Sequence, residues 1–228
     1  MTNLPSSLLR FFHEEEFARQ FVAGEARFGI LEYYRRIEDS RRDESEGESS
    51  VYFRAKAPQL IIDRKTGRTI DVTESDENIH STVVSLNPYY VLCTSHPEVN
   101  ITTLAGKYGR FMVRIDSPLV LLERVKIAWQ THDLALDGDA AFTAPVEYTK
   151  DELRDADPYL LSPPHLTYAQ KPKSHEGKSY EEDREYRYLL LCKVDTKREW
   201  ENHLTLRLGD CSDICTAVTI CTERLTSG

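Results

Sequence analysis

The chain has 228 residues, 40% of them hydrophobic and 29% charged, which is enough apolar material for one domain with its own core. Its formal net charge of −9 argues against broad electrostatic binding to a nucleic-acid backbone and leaves room only for a local basic groove. No stretch is long and apolar enough to span a membrane, and the opening MTNLPSSLLRFFHEEE is interrupted by Glu14 to Glu16, so neither a signal peptide nor a membrane contact is expected. Five cysteines without a CxxC pair (Cys93, Cys192, Cys211, Cys215 and Cys221) point to reduced thiols in a cytoplasmic protein and to no metal site.

Leu8 to Ala23 places Leu8, Phe12, Phe17, Phe21 and Val22 near helical spacing, which predicts an amphipathic helix closed by Gly24. Arg27 to Tyr34 has the β-branched and aromatic character of a strand, and the run RRIEDSRRDESEGESS behind it reads as a solvated loop. Val51 to Arg54 and Gln59 to Asp63 predict two short strands, with Thr69 to Val72 pairing back across a turn at Lys65-Thr66-Gly67. Asn78 to Ser85 is strand-like, and Tyr89 to Ser95 (YYVLCTS) predicts a buried strand broken by His96-Pro97. Ile101 to Gly109 predicts a short helix or loop, Arg110 to Ile115 a strand, and Pro118 to Ala128 a helical turn. Ala144 to Tyr148 predicts a strand, and Lys150 to Leu161 a short helix with Thr149 as N-cap and Glu152 in the capping-box position. Tyr186 to Val194 and Trp200 to Leu208 predict two more strands; Asp213 to Thr222 fits a helix or a strand. The sum is a single α+β, β-rich domain over residues 1–228.

The stretch YEEDREYRYLLLC, Tyr180 to Cys192, concentrates the candidate chemistry. Glu181, Glu182, Asp183 and Glu185 crowd the mouth of an apolar strand, where a rigid element would hold a carboxylate against a ligand. The preceding segment, Gln170 to Ser179, holds Pro172, Gly177 and three lysines and reads as an exposed mobile loop. Glu38, Asp39, Asp43 and Glu46 offer carboxylates for Mg²⁺, as a nuclease would need, although their setting is that of a loop. The histidines are scattered, and the apolar setting of Cys93 suits an inert thiol.

Three signals then recur in a fixed order: Arg27 on an early strand, Thr94-Ser95 ending a middle strand, and Asp183-x-Glu185 on a late strand. This layout resembles the arginine–serine–glutamate arrangement of the ADP-ribosyltransferase superfamily, with Cys93-Thr94-Ser95 in place of Ser-Thr-Ser and Asp183-Arg184-Glu185 in place of Glu-x-Glu. The segments RFGILEYYRRIEDSRRDESEG, VLCTS and REYRYLLL also resemble a scattered group of uncharacterised bacterial proteins. The superfamily resemblance implies a split mixed sheet with peripheral helices, NAD as substrate and a macromolecular acceptor, protein or nucleic acid. It further implies that Glu185 stabilises the oxocarbenium-like sugar and that Asp183 is a candidate general base. Arg27 or Arg35 would hold the pyrophosphate, Thr94 and Ser95 the ribose side, and Tyr33, Tyr34 or Tyr90 would stack on nicotinamide. A toxin or phage-defence effector, with a neutralising antitoxin as partner, fits that picture by analogy. Lys171, Lys173, Lys178 and Arg184 would supply a local nucleic-acid contact. The competing readings are a non-catalytic binding or regulatory module and the Mg²⁺-dependent nuclease.

Overall fold

The computed structural model describes residues 4–30, 48–54, 59–62, 69–72, 78–84, 89–136, 138, 140–149, 153–154, 170–172, 174–175, 178–193 and 200–220, with backbone pairing alone for 48–84, 147, 149 and 153–179. The fold is α+β, with a mostly antiparallel, open, strand-rich sheet and few helices. Eight strands form the main sheet: β1 (Leu8–Phe12), β2 (Glu25–Ile30), β3 (Tyr89–Ser95), β4 (Phe111–Ile115), β5 (Ala141–Pro145), β6 (Glu185–Leu191), β7 (His203–Arg207) and β8 (Cys215–Thr219). Three α-helices accompany it among the described residues: α1 (Glu15–Val22), α2 (Ile101–Tyr108) and α3 (Pro118–Gln130). Asn100 caps α2 by accepting from the Thr103 amide at 3.1 Å, and Pro118 opens α3 where its missing N–H costs nothing.

The sheet is organised on β3, which has three partners for two edges. β6 runs antiparallel along all seven of its residues, from Glu185 opposite Ser95 to Leu191 opposite Tyr89. The other edge is therefore shared: β2 meets it at Tyr90 and Val91, and β1 meets it at Ser95. β7 extends the sheet beyond β2, β4 and β8 extend it beyond β1, and β5 lies outside β6. The sheet thus forks at β3.

One face of the sheet makes the core. Tyr90 and Leu92 of β3, Tyr188 and Leu190 of β6, Phe28, Ile30, Leu8 and Val113 pack with Phe21 of α1 and with Leu121, Val125 and Trp129 of α3. A second, small cluster of Tyr89, Val91 and Leu189 belongs to the alternate residues of the same strands.

Three sequence expectations are corrected. Leu8 to Ala23 is a strand followed by a helix: LLRFF pairs residue by residue with Phe111–Ile115, and α1 begins only at Glu15. Phe12 and Phe21 sit at helical spacing but meet across the strand–helix corner, ring centroids 5.8 Å apart. Gly24, at φ +95°, does follow the helix end, in a conformation that favours glycine. Within the helix expected over Lys150 to Leu161, Leu153–Arg154 is a strand paired parallel with Tyr52–Phe53, as a sheet partner can override helical propensity; residues 150–152 and 155–161 lie outside the described residues. The Gln170 to Ser179 segment is not free loop throughout: Gln170–Pro172 pairs parallel with Glu147–Thr149, and Ser174–His175 pairs with Lys178–Ser179.

Elsewhere the elements match in kind and differ at their ends. α3 is a full helix rather than a turn, Ala144 to Tyr148 falls on two strands broken at Val146, and Asp213 to Thr222 contains β8. Gln59–Ile62 and Thr69–Val72 form the expected hairpin, and Asn78–Val84 pairs with Glu48–Arg54.

Candidate functional site

A cavity of about 640 Å³ opens where β1 and β2 diverge, lined by Arg10, Arg27, Ser95, Tyr108, Asp183, Glu185, Arg187 and His203 among others. The period-2 geometry of strands explains the grouping. On β6, Tyr186, Tyr188 and Leu190 turn to the core, so Glu185 and Arg187 turn to the opposite face and into the cavity.

Both of these charged side chains are buried, Glu185 at 6% exposure and Arg187 at 1%. Burying a lone charge is costly, and here the two neutralise each other: Arg187 Nε donates to Glu185 Oε1 at 2.8 Å. The backbone of Glu185 is also pinned. Its amide donates to Tyr148 Oη at 2.9 Å, and its carbonyl accepts from the Val146 amide at 2.8 Å. The carboxylate therefore sits on a rigid strand end, directly across the ladder from Ser95.

Asp183 ends a 3-10 turn, Glu181–Asp183, and is also buried. Lys107 Nζ donates to one carboxylate oxygen at 2.9 Å and Tyr108 Oη donates to the other at 2.5 Å. Arg184 then takes φ +40°, the only positive φ outside glycine among the described residues. That left-handed step converts the turn into β6. It is held by the His96 amide donating to the Arg184 carbonyl at 2.9 Å and by the Arg184–Glu98 ion pair at 2.9 Å. The chain from His96 to Tyr108 thus clasps the turn from both ends. Gly109, at φ +105°, closes α2 with its Cα against the main chain of Phe12 and His13 at the end of β1.

Arg10 occupies the fork itself. Its guanidinium donates to the Cys93 carbonyl of β3 at 2.6 Å and to the Arg27 carbonyl of β2 at 3.4 Å, and it stacks on Phe12 and Phe21. It supplies donors to main-chain oxygens between the points where β1 and β2 join β3. Thr94 Oγ1 donates to the Tyr186 carbonyl at 3.0 Å, so its proton is used across the ladder.

Of the residues singled out from sequence, Arg27, Thr94, Ser95, Asp183 and Glu185 line this one cavity. Tyr90 does not: it is a core residue at 1% exposure whose hydroxyl donates to the Glu201 carbonyl at 2.9 Å, because its strand position faces α1 and α3. Tyr33, Tyr34, Arg35 and the acidic run Glu38 to Glu46 lie outside the described residues, as does Cys221. The side chains of Lys171, Lys173 and Lys178 do too, while Arg184 is engaged with Glu98. Arg10, Arg187, Lys107 and Tyr108 escaped the sequence reading. Only Arg187 carried a local signal, standing two residues from Glu185 on the same strand face.

Among the described residues no group of three or more His, Cys, Asp or Glu is arranged to hold a metal ion, and no helix is long and apolar enough to cross a membrane. No disulfide joins Cys93, Cys192, Cys211 and Cys215 to one another, and burial pushes Cys215 up to about 12, far from a reactive thiolate. No family model, curated protein or solved structure matches this chain.

Proposed function

We propose that the fork cavity binds NAD and that the chain transfers ADP-ribose to a macromolecular acceptor, protein or nucleic acid. The observation that carries this reading is the buried Glu185 carboxylate, fixed on a strand end opposite Ser95, in a cavity that also holds the guanidinium groups of Arg10, Arg27 and Arg187. Cleaving the nicotinamide–ribose bond develops positive charge on the sugar, and a preorganised carboxylate stabilises that charge more than it stabilises the ground state. The Arg27 guanidinium, on the exposed side of β2, is suited to the pyrophosphate. The fork at the central strand supports the split of the sheet that the resemblance implies, while the described pairings of the main sheet are antiparallel rather than mixed.

The role of Asp183 changes on this geometry. Both of its oxygens accept hydrogen bonds from α2, so it anchors the turn ahead of Glu185 rather than standing ready as a base. A toxin or phage-defence setting in the cytoplasm, with an antitoxin partner, remains the context we propose for such an activity.

The test is transfer of label from NAD to mixed protein, RNA and DNA by wild type and Glu185→Gln. The substitution keeps the shape and removes the charge. We expect transfer to fall about 10²- to 10³-fold in the variant, the range for removing one preorganised electrostatic group. Equal transfer by both proteins places the chemistry away from β6, and no NAD binding by wild type sinks the reading.

A further inference from the structure

Glu185 and Arg187 share one face of β6 and both line the cavity, and the bond between them combines charge with direction. Taking a carboxylate out of water favours its protonated form, while an opposite charge within hydrogen-bond reach weakens its hold on that proton about ten- to a thousandfold. At Glu185 both influences act at once. The residue is 6% exposed, and Arg187 Nε donates to its Oε1 at 2.8 Å. A guanidinium keeps its charge at every pH at which proteins fold, so this partner is constant. Its N–H lies fixed in a plane, which also sets the direction from which the carboxylate is held.

We propose that Arg187 is a positioning residue that acts through Glu185, keeping the carboxylate charged and in one orientation on the cavity wall at neutral pH. The hold on Glu185 stands for any chemistry of the cavity; its effect on a developing sugar cation rests on the transfer reading. A protonated Glu185 offers such a cation no more than a glutamine does, so the guanidinium decides whether the site carries its charge.

One consequence separates Arg187 from a purely structural residue. With a neutral side chain at position 187, burial is less opposed and the Glu185 carboxyl keeps its proton to a higher pH. Arg187→Met should therefore resemble Glu185→Gln at neutral pH and recover as the pH rises, which Glu185→Gln cannot do. The other charged or titratable groups on the cavity wall are Arg10, His13 and Glu14 on β1 and the turn behind it, Glu25 and Arg27 on β2, and Cys93 on β3. Tyr108 on α2, Tyr180 and Asp183 ahead of β6, and His203 on β7 complete them, with Tyr148 against the Glu185 amide. Whatever else holds Glu185 is common to wild type and variant, so a difference between their titrations belongs to Arg187.

The experiment is a carboxyl carbon-13 NMR titration of glutamate-labelled wild type, Arg187→Met, Arg187→Gln and Arg187→Lys, with the Glu185 signal identified by its loss in Glu185→Gln. We expect Glu185 in Arg187→Met to hold its proton at least about tenfold more tightly than in wild type, and Arg187→Lys, which keeps the charge, to lie close to wild type. Transfer of label from NAD by Arg187→Met should then rise about tenfold per pH unit until Glu185 has titrated and level off beyond it, while Glu185→Gln stays low throughout. A merely structural role would lower transfer by the same factor at every pH and leave the Glu185 titration where it is in wild type. Arg187→Gln, which keeps an N–H donor without the charge, decides the matter should Arg187→Met fail to fold. Coincident Glu185 titrations in wild type and the neutral variants overturn the proposal. A displaced titration in a chain that never turns over NAD sinks the transfer reading and leaves the hold of Arg187 on Glu185 standing.

Discussion

The two faces of β6 are buried to the same depth by different physics. Tyr188, at 0% exposure, packs among the aromatic and aliphatic residues of the core, and Arg187, at 1%, lies beside it in sequence on the cavity face. On the core face stability comes from apolar area and close packing, which is non-directional and divides over many neighbours. On the cavity face the small apolar cluster of Leu189 is joined by directed bonds, of which the Arg187–Glu185 pair holds two buried charges. The comparison teaches that burial does not separate structure from function in this sheet. What separates them is whether a buried group is held by a packed surface or by directed polar bonds.

Paired substitutions break the comparison most visibly. Arg187→Ala should cost about 3–5 kcal/mol by removing the ion-pair partner of the buried Glu185, and Leu190→Ala should cost about 2–5 kcal/mol through its cavity. Urea unfolding at pH 7.5 and pH 5 tells them apart. A buried carboxyl that has lost a guanidinium neighbour holds its proton more readily, so Arg187→Ala should regain stability at pH 5, whereas Leu190→Ala should not.

A smaller effect belongs to high pH. Burial pushes the Cys215 thiol up to about 12 and pushes Cys211 and Tyr188 up as well. A raised pKa means that the folded state holds its proton longer than the unfolded chain. Stability is therefore intact below the unfolded thiol's pKa of about 8.5 and falls as pH rises toward 12, by at most about 1.4 kcal/mol per pH unit for each thiol. Melting temperature measured from pH 8 to pH 10.5 should decline, and Cys215→Ala should flatten the slope. An unchanged slope would locate the loss in other groups.

The mildest test is Tyr188→Phe, which removes the hydroxyl that donates to the Pro118 carbonyl at 3.0 Å at the start of α3. It should cost about 1 kcal/mol, read by urea unfolding, with no change in ligand affinity because the group lies on the core face.

The sequence made β3 and β6 legible because each is a short apolar run with a sharp end: His96-Pro97 stops one, and the acidic turn opens the other. It also made legible that Thr94, Ser95, Asp183 and Glu185 lie together, since both pairs sit at strand ends that the ladder brings face to face. Leu8 to Phe12 was misread because a five-residue apolar run fits a helix or a strand equally well, and its partner, Phe111–Ile115, lies about a hundred residues away. Arg10 was lost with it. Lys107 and Tyr108 carried no local signal at all: they reach Asp183 across 76 and 75 residues of chain, and nothing in the local pattern of α2 marks its end as a cavity wall.

The contact of Gly109 with β1 has a consequence for how such a site can diversify. A Cβ at this position would stand 2.1 Å from the Phe12 carbonyl oxygen, and the backbone is held at φ +105°. The end of α2 is thus keyed to the sheet by main chain against main chain, and no repacking of side chains can slide it. The distance from the sheet to Tyr108 is set like a fixed jaw. A variant seeking a larger or smaller ligand must change the side chains at 107 and 108 themselves, because moving the wall would first require breaking the sheet that holds Glu185.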